Sequence, residues 1–78
     1  MAQAVDYVRE ICKLMPEVYE LAMRPPSKET EKKALDLLRE LNDLLIAFQE
    51  LLMGTRALDF GEANAVLRHV RRTLEEIR

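Results

Sequence analysis

Seventy-eight residues allow one domain (1-78) with one small core, and a chain this short buries only about 60 to 65% of the surface that its unfolded form exposes. Its single cysteine excludes an internal disulfide, and one cysteine with one histidine is too small a ligand set for structural zinc, so oligomerisation is the remaining reinforcement. A net charge of −2 with both signs interspersed gives no bulk attraction to nucleic acid or anionic lipid, and 49% hydrophobic content is too apolar for a disordered chain.

The start, MAQAVDYVRE, carries charges where a secretory signal needs an unbroken apolar stretch. No apolar run approaches the roughly 18 to 20 residues that a membrane span requires. The expectation is a cytoplasmic protein with no membrane association.

The first helix is expected over about 3-23. Its apolar residues fall in four heptad-spaced columns: Ala4/Ile11/Val18, Val5/Cys12/Tyr19, Tyr7/Leu14/Leu21 and Val8/Met15/Ala22. At 100° per residue these columns cover about 200° of the helix, roughly twice what a surface helix of a small monomer needs. The surplus predicts cover on two sides, most simply by a second copy of the chain. Pro16 removes one backbone donor, yet the columns keep phase across it, which predicts a kinked but continuous helix. Cys12 shares its column with Val5 and Tyr19 and reads as a small buried hydrophobe.

Pro25 and Pro26 end this helix, and Ser27 is placed to cap a second one over about 28-53, with Glu29 and Glu31 in its first turn. Its columns Ala34/Leu41/Phe48, Leu37/Leu44/Leu51 and Leu38/Leu45/Leu52 give the three-in-seven pattern of a bundle's core helix, with Leu41 and Leu45 at the centre. Leu35, Ile46 and Met53 form a thinner apolar line outside it. Gly54 supplies a left-handed terminator. Asp59-Phe60-Gly61-Glu62 then fits a capping box with Leu58 and Ala63 as a staple, opening a third helix over about 60-77. Its apolar edge, Phe60, Ala63, Leu67, Val70, Leu74 and Ile77, spans only about 120°, which makes it the most solvent-facing helix.

These elements predict an all-α chain in up-down-up order with a long antiparallel hairpin, dimerising face to face into a larger helical bundle. The aromatics Tyr7, Tyr19, Phe48 and Phe60 sit at core spacing.

No constellation of catalytic, cofactor-binding or metal-ligating residues stands out, and the expectation is a non-enzymatic protein without a cofactor. His69 has Glu62 and Glu76 two turns to either side, over about 10 Å away along the helix, too far to share one metal ion. Ser27, Thr30, Thr55 and Thr73 have no histidine at a nucleophile's spacing. Arg9, Arg39 and Gln49 lie on the polar sides of their helices and do not converge on a small acidic substrate. The residues expected at a protein interface are Val5, Cys12, Tyr19, Met23, Leu35, Ile46 and Met53, apolar side chains at positions that one core cannot absorb. Methionine suits such adaptable surfaces. The expected task is self-association and the binding of a protein partner, as in an adaptor, regulator or chaperone-like protein. The alternative is a nucleic-acid-binding dimer that presents Arg68, Arg71 and Arg72, with Arg78 nearby, to phosphates. Against it, Glu75 and Glu76 stand four residues after Arg71 and Arg72, where they can form ordinary surface pairs.

Overall fold

The packing of the first two helices sets the architecture. In the computed structural model, which describes residues 4-77, α1 (Ala4–Met23) and α2 (Lys28–Leu52) form an antiparallel hairpin, and α3 (Phe60–Ile77) lies along one side of it. The bounds agree closely with the sequence pattern. Gln3, the expected first helical residue, and Arg78 lie outside the described residues.

Local chemistry explains where each helix begins and ends. Ser27 is extended (φ −155°, ψ 165°), and its hydroxyl accepts a 3.1 Å hydrogen bond from the Thr30 N–H, occupying one of the donors that a helix start leaves unpaired. At the far end of α2, Gly54 adopts φ +78°; its N–H donates to the Leu51 carbonyl while the Thr55 N–H donates to the Glu50 carbonyl. That pair of bonds is a Schellman closure, which requires a left-handed residue after the cap. Asp59 caps α3 through its side chain, which accepts from the Gly61 N–H at 2.8 Å. The expected reciprocal bond from Glu62 is not formed, so this is a one-sided cap rather than a capping box. Helix α1 runs unbroken through Pro16, although the Cys12 carbonyl receives no hydrogen bond from that imide nitrogen.

One core joins the three helices. Ile11, Leu14 and Val18 of α1 meet Ala34, Leu37, Leu41 and Leu44 of α2, and α3 adds Ala63, Leu67, Val70 and Leu74. Tyr7, Phe48 and Phe60 form an aromatic trio, with ring centroids 5.3, 5.1 and 6.0 Å apart. Tyr7 opens α1, Phe48 lies near the end of α2 and Phe60 opens α3. Their meeting therefore fixes the up-down-up order and ties three helix ends together, each ring pair adding about 0.5 to 1.5 kcal/mol beyond simple burial.

Two expectations about the core are corrected. Tyr19, placed among core aromatics by its spacing, is 55% exposed, because α3 covers the opposite side of α1. The third α2 column also turns outward: Leu38 and Leu45 are only partly buried and Leu52 is exposed. The centre of the core is thus Leu41 without Leu45.

Two substitutions test this account. Leu41 is fully buried, so Leu41→Asp costs about 3 to 5 kcal/mol, as much as a core of this size supplies, and its far-ultraviolet circular dichroism is expected to show an unfolded chain. Gly54→Ala meets no steric neighbour but must hold φ +78°, so denaturant titration is expected to show a loss of about 1 kcal/mol with the fold intact.

Candidate functional site

Each helix of the hairpin has more apolar surface than α3 can cover. Around α1, the side that meets α3 includes Glu10 and Leu14, whereas Val5, Val8, Cys12, Met15, Tyr19 and Met23 lie on the side turned away from it. On α2 the α3-facing side includes Glu40, Asp43 and Ala47, and the far side carries Leu35, Leu38, Leu45, Ile46 and Met53. Because the helices are antiparallel neighbours, the two far sides join into one apolar face along the hairpin.

The centre of this face is a shallow groove in which Cys12, Met15, Pro16 and Tyr19 of α1 meet Leu38 of α2. It continues past Leu35 to Arg39 and Asn42. All seven residues expected at a protein interface are exposed, up to 76% for Met53, and the structure places Cys12, Tyr19 and Leu35 together around this groove. Val5, Met23, Ile46 and Met53 extend the same face toward its ends and its α2 edge. Cys12 is an exposed free thiol in this chain, which corrects the expectation of a buried side chain. Val8, Met15, Leu38 and Leu45, each partly buried, also belong to this surface, although the spacing of Leu38 and Leu45 assigns those two to the core. Their membership could have been found by asking which columns of α1 and α2 lie on the same side of the hairpin.

The arginine cluster on α3 does not act as a unit. Arg71 reaches α1, where its Nε donates to the Glu10 carboxylate at 2.9 Å and its Nη2 donates to the same oxygen. The expected pairing with Glu75 is replaced by this tie between helices, and Arg71 is removed from the set free to meet phosphate. Arg68 and Arg72 are exposed and form no ion pair among the described residues. His69 lies 3.6 Å from Glu40 of α2, an ion pair when the imidazole is protonated.

Other depressions are open and mixed in character. The cleft between α2 and α3, about 280 Å³, has a floor of Leu44, Ala47, Leu58, Ala63 and Val66 with Glu40, Asp43 and Glu62 at its rim. Among the described residues, no group of three or more histidine, cysteine or carboxylate side chains could hold a metal ion. No buried polar side-chain atom there lacks a hydrogen-bond partner. None of the described helices is long and apolar enough to cross a membrane. No protein-family model, curated protein or solved structure matches the chain.

The tie between Glu10 and Arg71 gives a specific expectation. Both side chains are partly exposed, so a double-mutant cycle with Glu10→Gln and Arg71→Ala should yield a coupling of about 0.5 kcal/mol, shrinking as salt is added. A coupling of zero at low salt would mean that the two groups do not hold α3 to α1.

Proposed function

We propose that this chain is a non-enzymatic, self-associating protein whose hairpin face binds a second copy, and that the resulting dimer serves as a small helical adaptor or regulator of other proteins. The observation that carries this reading is the continuous apolar face on the side of α1 and α2 away from α3. Its length supports a macromolecular occupant: from Val5 to Met23 the face runs about 27 Å along α1 at 1.5 Å per residue, more than one small ligand would cover.

The chemistry of the face also favours binding over catalysis. The groove at its centre is almost wholly apolar, and the Cys12 thiol there has no histidine near it. Burial of this surface in a partner would shield the thiol, and a reducing cytoplasm would keep it free. The adaptor role follows from what the assembly would leave outside: two copies of α3, each with Arg68 and Arg72 exposed.

Those two arginines also support the second reading, nucleic-acid binding, because neither has an ion-pair partner among the described residues. In a dimer joined through the hairpin faces, however, the two α3 helices lie on opposite outer sides, so they cannot together grip one stretch of duplex. An electrophoretic shift that falls with salt and disappears in the variant carrying Arg68→Glu and Arg72→Glu would establish that reading.

The deciding experiment is absolute mass by light scattering on a sizing column across a wide concentration range. The native chain is expected to be a dimer, and Val5→Glu and Tyr19→Glu are each expected to run as monomers with unchanged helix content, because both positions are exposed in the folded chain. A native chain that stays monomeric at high concentration overturns self-association and leaves a different protein as occupant.

A further inference from the structure

We draw no further inference here: the strongest candidate, the cleft between α2 and α3 floored by Leu44, Ala47, Ala63 and Val66, rests on the carboxylates of Glu40, Asp43 and Glu62 at its rim, an acidic cluster with Arg56 beside it and nothing that points to a ligand.

Discussion

A single layer of cover governs this molecule. The seam between Ile11, Leu14 and Val18 on α1 and Ala34, Leu37 and Leu41 on α2 makes a two-helix sheet with two broad sides, and the chain has one helix left with which to cover them. Helix α3 lies along one side and supplies Ala63, Leu67, Val70 and Leu74, enough to close a core about one helix wide. None of the described residues covers the other side. Both the apolar face and the flattened shape, 40 × 20 × 16 Å, follow from that shortage. A fourth helix would close the bundle.

The helices were legible in the sequence because their punctuation is chemically specific. Two consecutive prolines, a serine with the right spacing to Thr30, a glycine before Thr55 and an aspartate before Phe60 each leave few alternatives, and the observed ends fall within a residue of those signals. The apolar columns were legible for the same reason of periodicity. Their assignment to one side or the other was less so, because a column spaced at seven residues is equally compatible with the core under α3 and with the face away from it. Spacing alone puts Leu38 and Leu45 in the core and leaves Tyr19 compatible with either side. What decides the matter is where α3 packs, and nothing in the hairpin's own sequence states that.

The long-range polar contacts were least legible. Glu10 and Arg71 are separated by most of the chain, and the local rule that pairs Arg71 with Glu75 on the same helix is sound in isolation. The tertiary arrangement brings a carboxylate on α1 to the edge of α3, and two guanidinium nitrogens then share one oxygen, a geometry that an exposed intrahelical pair does not need to compete with. His69 likewise finds Glu40 on α2 rather than either glutamate of its own helix. These two contacts sit on opposite edges of α3, one toward each member of the hairpin, the second an ion pair when the imidazole is protonated. They also explain why a run of arginines that resembles a phosphate-binding strip has its middle member occupied.

Separate columns of α1 are buried in the core and exposed on the outer face. Ile11 and Val18 are fully buried against α2 and α3, while Val5, Cys12 and Tyr19, in a different column of the same helix, are exposed. A change in the second column can therefore alter the outer surface while the fold keeps its core, which a helix with one apolar stripe does not allow. The face is also relieved of uniform hydrophobicity by Arg39, Asn42 and Gln49, which lie on its α2 side and stay exposed. Such polar interruptions lower the strength of any contact but raise its selectivity, since a partner that leaves them unmatched loses hydrogen bonds to water without recovering them.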